Sequence, residues 1–161
     1  MKGKIIALAA SALALAACAG PPPAAAPGAP YGPGPARAAG AIVPGSEADL
    51  RATAGDRVYF AFDRSDVSPA AQQILARQAA WLKHYRHVAV RIEGHCDKRG
   101  TRAYNLALGA RRAHAAKSVL VAAGIPPSRI ATISYGKDRP IVLGNTERDF
   151  ALNRVAITRV R

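Results

Sequence analysis

Acids and cysteines are scarce in this chain of 161 residues. Ten Asp and Glu stand against 23 Lys and Arg, and there are two cysteines. So few thiols exclude a disulfide-dense scaffold and a zinc module built on four thiolates. The length leaves room for one ordinary domain and not two large ones. Half the residues are apolar, which argues against a disordered polycation, a class of chain that lacks the material for a core. The surplus of charge, a formal +13, taken alone points to nucleic acid. Composition is uneven along the chain, however, and the average misleads.

The first segment reads as an export signal. Lys2 and Lys4 form a positive start, and Ile5 to Leu15 is an apolar run broken only by Ser11. That run is too short for a membrane-spanning helix, which takes about 20 residues, so a cleaved signal over 1–17 is expected. Leu15-Ala16-Ala17-Cys18 resembles the lipobox of bacterial lipoproteins. The resemblance implies cleavage before Cys18, lipidation of its sulfur, and, with Ala19 rather than Asp following, sorting to the outer membrane. More than one acyl chain makes such anchoring stable. Cleavage also removes Lys2 and Lys4 from the charge balance.

Ala19 to Ala41 carries Pro21-Pro22-Pro23 and prolines 27, 30, 33 and 35 among many Gly and Ala. Repeated proline forbids helix and ladder pairing. A semi-extended tether is expected, reaching about 70 Å at roughly 3.1 Å per residue. The expected organisation is therefore a signal peptide at 1–17, a lipidated N-terminus and tether at 18–46, and one domain at 47–161.

Within that domain, Val58, Phe60 and Phe62 alternate with Tyr59 and Ala61, predicting a strand. Ser68-Pro69 predicts a capped helix start, and Ala71, Leu75, Ala79 and Leu82 give that helix one apolar stripe. Val88, Val90 and Ile92 predict a second strand. A polar loop from Gly94 to Gly100 follows, then a long helix capped by Thr101. Leu106, Ala113 and Leu120 recur along it, and Gly124 with Pro126-Pro127 closes it. Ala131 to Tyr135 predicts a third strand, Thr146 to Leu152 a short helix, and Val155 to Val160 a last strand. Strands separated by helices predict an α/β (α+β) sandwich with one sheet of about four strands covered by helices.

The chemistry concentrates between Ile92 and Ala113. Asn105, Leu108, Arg112 and Ala116 share one face of the long helix. Helical side chains lean towards the N-terminus, so Arg112 is expected to reach back towards the loop that carries Asp97. A carboxylate and a guanidinium facing one cleft suit a zwitterion: Asp97 for an ammonium, Arg112 for a carboxylate.

Tyr59-Phe60-Ala61-Phe62-Asp63, Gly94-His95-Cys96-Asp97, Arg99-Gly100-Thr101, Tyr104-Asn105, Leu108-Gly109, Arg112-Ala113 and Ile133-Ser134-Tyr135-Gly136-Lys137 carry a family resemblance. Together they resemble the βαβαβ OmpA-like peptidoglycan-binding domain, in the lipoprotein branch that belongs to the Tol–Pal system. The resemblance covers about residues 57 to 160. It implies a non-enzymatic protein without cofactor or metal. The implied partners are peptidoglycan, bound through the diaminopimelate of its stem peptide, the outer membrane through the lipid, and the Tol B protein with other Tol proteins. It implies a domain facing the periplasm and a part in envelope integrity and in outer-membrane constriction during division. The family's Asp and Arg ligands fall on Asp97 and Arg112, a further pocket residue falls on Asp63, and Asn105 and Thr101 join the binding set. Lys98 departs from the family's usual acid, His114 from a usual Asn, and Val155 from the second Arg of an Asn-Arg-Arg run.

Other functions stay open at this stage. An anionic-polymer or nucleic-acid binder would need basic residues clustered on one face with interleaved aromatics, and the arginines here are dispersed. Without nucleic acid, the surplus reads as general attraction to an anionic envelope. A wall hydrolase would need a second convergent acid or a zinc set; Glu93 and Asp97 lie on a strand and a loop. His84, His87 and His114 show no ligand spacing. His95 and Cys96 are neighbours that point to opposite faces, so Cys96 is expected to be structural.

Overall fold

The computed structural model describes residues 42–161. The signal segment, Cys18 and the tether up to residue 41 lie outside the described residues. The elements follow in the order α1 (Glu47–Thr53), β1 (Arg57–Tyr59), α2 (Pro69–His84), β2 (Val90–His95), α3 (Arg102–Ala122), a 3-10 turn (Pro127–Arg129), β3 (Ile130–Gly136), α4 (Glu147–Asn153) and β4 (Val155–Val160). The strands form one mixed sheet in the order β1-β4-β2-β3. Strand β4 runs antiparallel to both β1 and β2, and β2 pairs parallel with β3. The expected four-stranded sheet with packed helices is the architecture that forms.

Each helix begins where a hydroxyl side chain satisfies a free N–H of the first turn. Ser46 accepts from Asp49, Ser68 from Ala71, Thr101 from Tyr104 and Thr146 from Asp149. Pro69 sits in the first turn of α2, where its missing N–H costs nothing. Thr146 and Asp149 also bond reciprocally as a capping box.

One face of the sheet carries the core. Val58, Val90, Ile92 and Ala156 pack there against Leu75, Ala79 and Leu82 of α2 and Ala113, Ala116 and Leu120 of α3. Leu75, Leu82 and Leu120 are wholly buried, and truncating one such leucine to alanine costs about 2–5 kcal/mol. Leu50 and Ala54 add α1 to the same cluster. Helix α1 was not foreseen as an element, because seven residues with one apolar pair show too little periodicity.

The strand expected from Val58 to Phe62 ends at Tyr59. Beyond Tyr59, backbone carbonyls turn to arginines instead of a partner strand. Phe60 O accepts from Arg154, while Ala61 O and Arg64 O accept from Arg112. Phe60 stays in the core, but Phe62 is 58% exposed, and Asp63 adopts a φ of +56°. The second strand likewise starts at Val90 rather than Val88, whose N–H closes a turn onto Tyr85 O.

Helix α3 approaches the sheet closely at one point. A Cβ on Gly94 of β2 would stand 2.6 Å from the carbonyl carbon of Gly109 on α3. Glycine on both sides removes that obstacle. Arg112 lies one turn beyond Gly109, so the contact also sets the depth at which its guanidinium sits.

Candidate functional site

A cleft of roughly 160 Å³ opens where the β2–α3 loop, the start of α3 and the segment after β1 meet. Phe62, Asp63, Cys96, Asp97, Arg99, Gly100, Tyr104, Asn105, Leu108 and Arg112 line it. The local sequence builds this shape directly. β2 delivers Cys96 and Asp97 at its end, Gly100 turns the chain with φ +85°, and Thr101 caps the helix.

Asp97 is 5% exposed and heavily bonded. Its Oδ1 accepts from Arg99 N (3.1 Å) and Arg99 Nε (3.2 Å). Its Oδ2 accepts from Arg99 Nη2 (2.6 Å) and Arg154 Nη1 (3.4 Å). Burial alone would raise its pKa; the donors on Arg99 and Arg154 outweigh it and hold the carboxyl below its ordinary value. Glu147 bridges behind this pair, accepting from Arg154 at 2.8 Å and Arg99 at 3.1 Å.

Arg112 is 1% exposed, the most deeply placed cation of the site. Its Nε donates to Arg64 O (2.8 Å), Nη1 to His95 O (2.9 Å) and Cys96 Sγ (3.3 Å), and Nη2 to Ala61 O (3.2 Å). Among the described residues no carboxylate forms an ion pair with it. Burial lowers its pKa, with the nearby Cys96 and Asp97 opposing the shift. A guanidinium held by carbonyls keeps its full charge available to an anion that enters the cleft.

The structure brings together Asp97, Arg112, Asp63 and Asn105 from the residues proposed on sequence. Asp63 accepts a hydrogen bond from the Tyr104 hydroxyl, and that carboxylate pushes the phenol pKa up. Asn105 spends its amide on the loop, donating to Arg99 O (2.7 Å) and Thr101 O (3.1 Å). Thr101 stands apart from the cleft lining, and its hydroxyl caps α3.

Cys96 and His95 diverge as expected. The thiol donates to Asn105 O (3.4 Å), and burial raises its pKa. The His95 ring packs on Tyr135, with Nδ1 3.0 Å from Arg139 O, and burial lowers its pKa. Among the described residues no group of three or more His, Cys, Asp and Glu is arranged to hold a metal. None of their helices is long and apolar enough to cross a membrane.

Sequence reasoning passed over Arg99, Arg154, Glu147 and Phe150. The Arg99 guanidinium lies between two rings, 4.1 Å from the Phe62 centroid and 4.6 Å from that of Phe150. Arg99 stands inside a quoted motif, two residues from Asp97, and that proximity was the available signal; Arg154 reaches the site from 57 residues away, which no local pattern marks.

Residues 59–154 match the OmpA family. The peptidoglycan-associated lipoprotein of Mesorhizobium japonicum is 51% identical over 120 residues, covering 74% of this chain and 71% of that protein. The chain belongs to the OmpA family. Its relative of the same name in Agrobacterium fabrum is 48% identical, over 74% of this chain and 68% of that one. The crystal structure of the peptidoglycan-associated lipoprotein from Burkholderia pseudomallei superposes with a TM-score of 0.64 at 37% identity, covering 66% of this chain and 90% of that one. The periplasmic domain of Helicobacter pylori MotB shares the fold alone, with a TM-score of 0.57 at 18% identity. As an OmpA-family member of this kind, the chain is a structural protein rather than an enzyme.

Proposed function

We propose that this chain is an outer-membrane lipoprotein that holds peptidoglycan non-covalently and so ties the membrane to the wall. The ligand is the diaminopimelate of the stem peptide, whose free end is a zwitterion. Asp97 takes its ammonium and Arg112 its carboxylate. The lipid on Cys18 fixes one end, the proline-rich segment spans the gap, and the domain faces the periplasm. The Tol B protein and other Tol proteins are its partners in envelope integrity and constriction during division.

One observation carries the reading: Asp97 and Arg112 line the same cleft with opposite charge, and Arg112 has no carboxylate of its own among the described residues. The relatives named peptidoglycan-associated lipoprotein support it. The anionic-polymer alternative finds less support, since Arg51, Arg57, Arg91, Arg102 and Arg159 are each spent on a local carboxylate.

Cosedimentation with purified sacculi tests the reading, using the full chain carrying Cys18→Ser so that no lipid is attached. The chain is expected in the pellet and released by free diaminopimelate, while Asp97→Asn stays in the supernatant. An Asp97→Asn chain that pellets like its parent would contradict the proposal.

A further inference from the structure

An ionised carboxylate offers about four lone-pair positions. At Asp97 all of them are filled: three N–H groups of Arg99 and one of Arg154 point at its two oxygens. An incoming ammonium therefore finds no vacant acceptor on Asp97 unless a bond already present is given up.

The two arginines differ in their freedom to leave. The Arg154 side chain is 9% exposed and pinned by Phe60 O and Glu147. The Arg99 side chain is 35% exposed, and its Nη1 already reaches Glu147 at 3.1 Å. Phe62 and Phe150 lie against its guanidinium, 4.1 and 4.6 Å from their ring centroids, apolar faces that offer it no competing hydrogen bond. Arg99 thus has a second carboxylate already within reach.

We propose that Arg99 is an internal competitor for its own binding site. Its guanidinium occupies the ammonium position at Asp97, and ligand binding transfers it to Glu147. This inference rests on the reading of Asp97 as the ammonium acceptor. The exchange swaps one cation for another at Asp97, so only a ligand that brings a cation with it can engage Asp97, whereas a simple anion meets Arg112 alone. Glu147 acts without touching the ligand, by receiving the displaced guanidinium.

Calorimetric titration of the full Cys18→Ser chain with diaminopimelate tests the exchange. Arg99→Met keeps a long side chain between the rings and removes the cation. It is expected to bind roughly fivefold tighter, the scale of a partly exposed ion pair. Glu147→Gln is expected to weaken binding in the parent chain and to have no effect in the Arg99→Met background. Weaker binding by Arg99→Met would overturn the proposal, because Arg99 would then be a ligand contact. An equal Glu147→Gln effect in both backgrounds would overturn it too, since the effect would then run through Arg154. In the unsubstituted side-chain background, the Arg99 Nε–H resonance is expected to shift on saturation, and an unmoved resonance counts against the exchange. Asp97→Asn separates the two levels. Undiminished binding there sinks the underlying pocket assignment, whereas lost binding without tightening by Arg99→Met sinks only the competitor role.

Discussion

Asp97 and Arg112 share a cleft without pairing with each other. Arg112 hands its N–H groups to the carbonyls of Ala61, Arg64 and His95, and Asp97 is held by Arg99 and Arg154. The site thus keeps two opposite charges apart by giving each a separate set of partners. Such a division suits a ligand with both charges, because neither residue has to break a bond to the other before it binds.

The same arrangement makes Arg112 structural as well as electrostatic. Arg112→Met would take this donor from the buried His95 carbonyl and from the part-buried carbonyls of Arg64 and Ala61, the last of which keeps the Arg64 N–H. Unfolding in urea is expected to show a loss of about 1–3 kcal/mol, most of it from the buried group. Arg112→Lys should recover only part, since an ammonium cannot reproduce the planar fork.

Gly94→Ala tests the seating of α3. The added methyl meets the Gly109 carbonyl, and backbone on both sides leaves little to give. A destabilisation of about 1–3 kcal/mol is expected in thermal or urea melts. Ligand affinity should fall as well, because Arg112 moves with the helix.

Acid should weaken the fold partly through Asp97. Its folded pKa lies below the ordinary 3.8, so near that value the unfolded chain binds more protons than the folded one. The stabilisation is complete above 3.8 and disappears as pH falls through the folded value. Melts from about pH 6 to about pH 2 should show a shallower loss of stability for Asp97→Asn than for the parent. Asp49 and Asp149, also held low by hydrogen bonds, keep part of the slope in both chains.

Much of this was readable in one dimension because the signals were local. Ser68-Pro69, Thr101 and Thr146 each mark a helix start through a contact three residues away. The face shared by Asn105, Leu108, Arg112 and Ala116 is buried throughout, as helical spacing requires. What escaped was set by distance along the chain. Arg154 reaches Asp97 across 57 residues, and Arg112 reaches Ala61 across 51. The bonds from Arg112 to Ala61 O and from Arg154 to Phe60 O take up carbonyls just beyond Tyr59, where the first strand ends despite its alternating pattern. Thr101 shows the opposite case, a motif residue whose visible task is to cap a helix.

The most direct test of the central claim is an NMR titration of the full Cys18→Ser chain with a diaminopimelate-containing stem peptide. Saturable shifts are expected at the backbone amides from Cys96 to Tyr104 and at Arg112 Nε–H, and they should vanish in Asp97→Asn. Shifts that leave those signals unmoved, or that persist unchanged in Asp97→Asn, would contradict the assignment of this cleft.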